Sequence, residues 1–126
     1  MKRFFICGSA LSGQPDHPNL QDAYLVGPVG TAAKYRLYSV KDGWHPGIFE
    51  VGSGGISILG ELYELSEDQY ASLMAGEPPD LYEAEIDLQD GTRAHAMLYP
   101  KELVEKNDWP DVSKYGGWAA YKAAEG

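Results

Sequence analysis

The sequence is poor in cysteine, in basic residues and in long hydrophobic runs, and each shortage argues against a class of protein. Among its 126 residues Cys7 is the only cysteine, so no disulfide can form within the chain. Ten Lys and Arg stand against nineteen Asp and Glu, which gives a net charge of −9. Nucleic acids and anionic membranes attract basic patches, so we predict that the chain binds neither. No hydrophobic run approaches the length of a membrane span.

The start of the chain does not fit a secretory signal. It is basic at Lys2 and Arg3 and then apolar, but the apolar run reaches Gly8 too soon for the hydrophobic core of a signal peptide. We therefore expect a cytoplasmic protein.

Neither a metal nor a cofactor is predicted. His17, His45 and His95 are scattered and form no His-x-x-x-His pair, so a zinc site is not expected. The glycine-rich run at 52–55 lacks the Lys-Ser/Thr pair of a phosphate loop and is better explained as a hairpin connection.

Short apolar runs separated by glycine and proline predict a chain rich in strands. Turns are expected at Asp42-Gly43 and Pro46-Gly47, and the chain after Tyr99 is expected to be irregular until Gly116-Gly117. The predicted strands cover residues 4–7, 24–29, 35–40, 48–51 and 56–65, and short helices are predicted from Pro18 to Ala23 and from Trp118 to about Ala124.

One longer helix is predicted in the middle of the chain. Ser66 can cap it, and Gln69 three residues later completes a capping box. Leu73 and Met74 supply part of an apolar face, and Gly76 ends the helix.

Residues 82–99 predict a β-hairpin with a defined register. If Gln89-Asp90-Gly91 forms a three-residue loop, Ile86 faces Ala94 and Ala84 faces Ala96 on one apolar face. The other face then pairs Asp87 with Arg93 and Glu85 with His95. A two-residue loop would oppose Ile86 to His95, so the three-residue loop is favoured on apolarity and charge.

Length and pattern together predict one domain over residues 1–126. We expect an α+β fold, a small mixed and barrel-like twisted β-sheet with one main mid-chain helix.

Four motifs resemble one family over nearly the whole chain. The sequence from Phe4 to Leu11 resembles the strand-then-loop opening of gamma-glutamylcyclotransferase-like proteins, with Cys7 in place of their usual tyrosine. The motifs that resemble the C-terminal domain of allophanate hydrolase are Cys7-Gly8-x-x-Leu11-Ser12-Gly13-x-Pro15, Thr31-Ala32-x-x-Tyr35-Arg36-Leu37-Tyr38, Pro46-Gly47 and Gly116-Gly117-Trp118-x-x-Tyr121.

The resemblance implies a set of site residues. Backbone amides of the loop at Gly8, Ser9, Ala10 and Leu11 would bind a substrate carboxylate, since successive amides form an anion-binding hollow. A tight turn after a buried strand is the structural alternative for this loop.

The resemblance also implies two acting side chains. Glu77, just after the helix, would be the catalytic acid or base, and Tyr99 would line the cavity. A solvated loop glutamate and a core tyrosine are the alternatives. The family usually has an acidic residue where this chain has Met74, and often a glycine where Pro78-Pro79 stand, which puts the role of Glu77 in question.

Three functions are consistent with this resemblance. The first is decarboxylation of N-carboxycarbamate, or a similar lyase-type step on a small carboxylate-bearing compound in urea and amide catabolism. The second is cyclisation of a γ-glutamyl amine. The third is a non-catalytic module that assembles with a separate amidase, which the departures from the family pattern at Met74 and Pro78 favour. The Ser-Ser-Lys machinery of the amidase has no counterpart in this chain, so the chain is not expected to cleave allophanate by that chemistry.

Overall fold

The computed structural model describes residues 2–8, 23–41, 43–76 and 80–125. Within them lie seven strands, three α-helices and one short 3₁₀ helix. In chain order these are β1 (Lys2–Ile6), β2 (Tyr24–Gly30), β3 (Tyr35–Val40), β4 (His45–Glu50), β5 (Leu59–Leu65), α1 (Glu67–Ala75), β6 (Tyr82–Asp87), β7 (Arg93–Leu98), α2 (Lys101–Asn107), the 3₁₀ helix (Ser113–Tyr115) and α3 (Trp118–Glu125).

Five of the strands form one mixed sheet in the order β2-β5-β1-β7-β6. The central strand β1 pairs antiparallel with β5 and parallel with β7. The two outer strands of this sheet meet at one end, where the Ala32 amide donates to the Asp87 carbonyl and the Gln89 amide donates to the Gly30 carbonyl. These bonds curl the sheet into a partly closed barrel, and the α+β fold with a mixed barrel-like sheet is as predicted.

The strand β1 shows how the sequence divides the core between two faces. Phe5 and Cys7 point into the barrel, where they join the largest buried cluster. Phe4 and Ile6 point outward and are covered by Leu73 of α1. Both faces of β1 are therefore buried, which explains its continuous apolar run.

Two of the predicted elements have the expected bounds and caps. Ser66 caps α1, the capping box with Gln69 is present, and Gly76 ends the helix. The predicted terminal helix is α3, Trp118–Glu125. The predicted helix from Pro18 to Ala23 falls almost wholly outside the described residues.

The β6–β7 hairpin has the register predicted from its sequence. Ile86 pairs with Ala94, Ala84 with Ala96 and Asp87 with Arg93. The Leu88 amide donates to the Thr92 carbonyl, and Gly91 adopts a positive φ of 88° in the loop.

The cross-strand pairing of Glu85 with His95 is also as predicted, although the ion pair of His95 is with another residue. His95 stands opposite Glu85, but its Nδ1 lies 2.8 Å from Oε2 of Glu83 instead. Glu83 also accepts hydrogen bonds from Lys2 and from the Tyr70 hydroxyl. His95 therefore belongs to a surface cluster around Glu83 in addition to its predicted cross-strand pairing with Glu85.

The strands β3 and β4 form a separate two-stranded sheet, and here a predicted turn is wrong. Pro46 and Gly47 lie inside β4, paired with Ser39 and Tyr38. Proline is tolerated in a strand whose outer edge lacks a paired strand. Position 47 requires glycine, because any side chain there would collide with neighbouring atoms. A Cβ at Gly47 would lie 2.8 Å from Cγ2 of Val40.

The segment after Tyr99 is more regular than predicted. It contains α2 directly after Pro100, and the 3₁₀ helix at Ser113–Tyr115. The segment was expected to be irregular, but Pro100 occupies the N-cap position of α2, where the proline ring does not disturb the helix. The main mid-chain helix is α1, as predicted, and α2 is an additional short helix that was not predicted.

Candidate functional site

The structure describes two of the six predicted site residues. Gly8 follows the end of β1, and Tyr99 follows the end of β7. The other four lie outside the described residues, so their expected roles stay predictions: Ser9, Ala10, Leu11 and Glu77.

Gly8 and Tyr99 both lie against the strand β4. A Cβ added at Gly8 would lie 2.9 Å from Cγ of Pro46, so the backbone there approaches the proline closely. The amide of Tyr99 donates to the carbonyl of Ile48 at 3.0 Å, and Cβ of Tyr99 would lie 3.1 Å from a Cβ at Gly47. The Pro46–Gly47 pair thus brings the end of β1 and the end of β7 together.

The Tyr99 side chain is completely buried, with 0% of its surface exposed. Its ring lies between those of His45 and Trp109, at centroid distances of 5.6 Å and 5.9 Å. In the described part of the chain no group lies within hydrogen-bonding distance of its hydroxyl. A buried polar group without a partner costs about 1–3 kcal/mol, so this hydroxyl calls for an explanation.

His45 is the second buried group of this kind, and sequence analysis missed it. It is 3% exposed, and its Nδ1 lies 2.9 Å from the carbonyl oxygen of Pro46. A carbonyl can only accept, so Nδ1 carries the proton, and the neutral ring presents Nε2 as a bare acceptor. Nε2 has no hydrogen-bonding partner among the described residues.

Burial keeps both side chains neutral. It lowers the pKa of His45 below its ordinary value of 6.5, and the nearby Lys41 adds to that effect. It also raises the pKa of Tyr99 above its ordinary value of 10.0, and the carboxylate of Asp80 raises it further. Near neutral pH the tyrosine hydroxyl is therefore a donor, and the histidine is an acceptor.

Two charged side chains lie near these neutral groups. Nζ of Lys41 and Oδ2 of Asp80 are 4.0 Å apart, and both residues adopt positive φ angles, 53° and 75°. Asp80 is three residues beyond Glu77 in the sequence. We call the group formed by Gly8, His45, Pro46 and Tyr99 the Tyr99 site.

His45 escaped the sequence analysis because β4 was expected to begin at residue 48. A histidine before a presumed turn gives no signal of burial. Its pairing with Val40 places it at the first position of β4 and inside the structure. The Pro46-Gly47 motif, which carried part of the family resemblance, was the signal that could have directed attention to its neighbour.

The described residues contain neither a cluster suited to a metal ion nor a helix suited to crossing a membrane. No group of three or more His, Cys, Asp or Glu side chains is arranged to hold a metal ion. No helix there is long and apolar enough to cross a membrane.

Comparisons of the sequence identify a family and a relative. Residues 2–123 match the family described as allophanate hydrolase C-terminal domain. A Vibrio cholerae protein provisionally named a gamma-glutamylcyclotransferase is 30% identical over 112 residues, which cover 83% of this chain and 92% of the relative.

Two solved structures share the fold. A protein specific to uropathogenic E. coli is 29% identical with a TM-score of 0.87, covering 97% of this chain and 95% of that one. The allophanate hydrolase of Kluyveromyces lactis has a TM-score of 0.91 at 24% identity. That match covers 99% of this chain but 21% of the yeast enzyme, and it shows the likeness of fold alone.

Proposed function

The chain belongs to the allophanate hydrolase C-terminal domain family, and from this premise we propose that it is an enzyme acting on a small carboxylate-bearing nitrogen compound. The observation that carries the proposal is the buried, unpartnered hydroxyl of Tyr99. A buried hydroxyl without a hydrogen-bond partner destabilises the folded protein when no substrate is bound. A substrate oxygen that accepts its hydrogen bond would offset that cost.

We assign the reaction as decarboxylation of N-carboxycarbamate or a similar lyase-type step. In that step a C–N bond breaks, the carbon leaves as carbon dioxide, and the electron pair stays on nitrogen, which takes up a proton. The amides from Gly8 to Leu11 would bind the carboxylate that remains. Glu77 would supply the proton, and the Tyr99 hydroxyl would hold a substrate oxygen.

A second candidate is cyclisation of a γ-glutamyl amine. The V. cholerae relative and its provisional name favour it. Here an amine nitrogen would attack the γ-carbonyl, a five-membered lactam would form, and the bond to the departing amine would break. Glu77 would then remove a proton from the attacking nitrogen and pass it to the departing amine.

A third candidate is a module that assembles with an amidase. The fold accounts for about a fifth of the yeast allophanate hydrolase, which favours a role beside a larger partner. Stable co-purification with an amidase, together with no turnover of either substrate class, would support this role against the other two.

The test uses a separate amidase that makes N-carboxycarbamate from allophanate, with release of carbon dioxide as the readout. We expect the chain to raise the rate above that of the amidase alone. Tyr99→Phe should lower the added rate at least tenfold, and Glu77→Gln should lower it by about 10²–10⁴-fold, the usual range for general acid–base catalysis. Release of amine from a γ-glutamyl amine, measured with the same variants, tests the second candidate.

Stability distinguishes a catalytic hydroxyl from a structural one. Tyr99→Phe removes a hydroxyl that has no partner among the described residues, so the free energy of unfolding should stay the same or rise. The control is Tyr35→Phe, because the Tyr35 hydroxyl accepts from the Asp87 amide at 2.9 Å. It should cost about 1–3 kcal/mol of stability and leave turnover nearly unchanged. A fully active Tyr99→Phe enzyme would remove Tyr99 from the mechanism.

A further inference from the structure

His45 supplies a polar atom, Nε2, that neither the described residues nor the proposed reaction uses. Its ring lies beside that of Tyr99, tilted by 54° at a centroid distance of 5.6 Å. Both unpartnered atoms found in the described part of the chain, Nε2 of His45 and the Tyr99 hydroxyl, therefore belong to neighbouring rings. Two such atoms on neighbouring buried rings are a sign of a ligand that completes them.

The chemistry of the two atoms differs, and the difference restricts the ligand. The hydrogen bond to the Pro46 carbonyl fixes the proton on Nδ1 of His45, so Nε2 can only accept. The Tyr99 hydroxyl has a hydrogen to donate. A ligand that satisfies both must present an N–H or O–H group close to a hydrogen-bond-accepting oxygen.

We infer that His45 is a substrate-binding residue of the Tyr99 site, and that its Nε2 accepts a hydrogen bond from an N–H group of the substrate while Tyr99 donates to a neighbouring oxygen. The inference rests on the proposed function for the location of the site. It adds a residue and a selectivity: the site prefers a compound with N–H beside its carbonyl to a compound of equal charge and similar size that lacks the N–H.

The backbone around His45 holds it in place for this role. His45 is the first residue of β4 and pairs with Val40, which is itself completely buried. Nδ1 is anchored on the carbonyl of the next residue. The ring is therefore already oriented in the free protein, so ligand binding does not carry the entropy cost of ordering it.

The test compares two stable monoanions that are nearly the same in size. Malonamate carries a carboxylate and a primary amide, whereas monomethyl malonate carries a carboxylate and an ester with no N–H. Wild-type protein should bind malonamate at least about tenfold more tightly, the effect of one hydrogen bond to a buried group, measured by calorimetry or NMR titration. His45→Phe, which keeps a ring but no acceptor, should bind the two compounds equally.

His95→Phe is the matched control, because His95 is paired with Glu83 and lies outside the Tyr99 site. It should keep the preference for malonamate. A wild-type protein that binds both compounds equally, a His45→Phe variant that keeps the preference, or the failure of both compounds to bind would each overturn the inference.

NMR of the ring nitrogens gives a measurement that does not depend on a folded variant. In the free wild-type protein at neutral pH, His45 should show a protonated Nδ1 and a bare Nε2, and malonamate should shift the Nε2 signal. A charged ring or the opposite tautomer would overturn the inference. Absence of turnover with retained selectivity would count against the proposed reaction alone.

Discussion

His45 is held neutral by its surroundings, and this makes stability depend on pH. Because the pKa of His45 is lower in the fold than its ordinary value of 6.5, the unfolded chain binds a proton that the folded chain resists. The stability that neutral His45 contributes is therefore fully present above pH 6.5. It is lost as the pH falls through the lower pKa that His45 has in the folded protein.

We predict that His45→Phe makes the free energy of unfolding depend less on pH in this range. Between the two pKa values the wild-type protein should lose at most about 1.4 kcal/mol per pH unit more than the variant does. The measurement is urea unfolding at a series of pH values between 7 and 5, chosen on the basis of the ordinary histidine pKa. His17 and His95 are present in both proteins, so the difference reports on His45, and identical profiles would show that His45 is not buried as a neutral group.

At the scale of single residues, the sequence predicted some members of the Tyr99 site but not His45. The motif around Gly8 and the tyrosine at position 99 were found because they resemble a family pattern. His45 is part of no such pattern. It matters because it is buried in the fold, and no local feature of the sequence indicates that burial. A site assembled from residues 8, 45 and 99 depends on contacts across the whole chain.

At the scale of the elements, the close approach of β5 to β1 depends on a glycine. Gly60 lies in β5, and a Cβ there would collide with the carbonyl oxygen of Ile6 and lie 2.6 Å from Cζ of Phe5. One of these atoms is backbone of the central strand, so it cannot move without disturbing the barrel.

We therefore predict that Gly60→Ala is destabilising by about 1–3 kcal/mol or more, the cost of overpacking a core. Gly52→Ala is the control, because a Cβ there would meet nothing within 4 Å. It should change stability by less than about 0.5 kcal/mol. Equal denaturation midpoints for the two variants would mean that β1 and β5 are less tightly packed than described.

The elements that sequence predicted well are those whose signals are local. The capping box of α1 and the Gln89-Asp90-Gly91 loop fix their own geometry within a few residues. Pro46-Gly47 and Pro100 gave the wrong result because proline and glycine have several structural uses. Gly47 belongs to a strand because it pairs with Tyr38, and it is packed against Tyr99, which is distant in sequence.

At the scale of the whole molecule, the buried hydroxyl of Thr31 lies where the barrel closes. Thr31 is 0% exposed, and its Oγ1 accepts from the Ile58 amide and donates to the Ala32 carbonyl, both at 2.9 Å. It stands where the two outer strands of the five-stranded sheet meet, through the Thr31–Leu88 bridge.

We predict that Thr31→Val costs about 1–3 kcal/mol, because the Ile58 amide is left buried without its acceptor. Thr31→Ser keeps the hydroxyl and should cost less. Hydrogen exchange should also quicken at the Ala32 and Gln89 amides, whose bonds close the barrel. Thr31→Val of wild-type stability would show that closure does not depend on this hydroxyl.

The β3–β4 sheet, which carries His45, is held from its far side by late parts of the chain. The Val112 amide donates to the Leu37 carbonyl, and the Ser39 amide donates to the Pro110 carbonyl. During synthesis His45 is made before these supports, so the β3–β4 sheet can gain them only once Pro110 and Val112 have left the ribosome. A ligand of the Tyr99 site that needs the assembled sheet would thus stabilise only chains in which these bonds have formed.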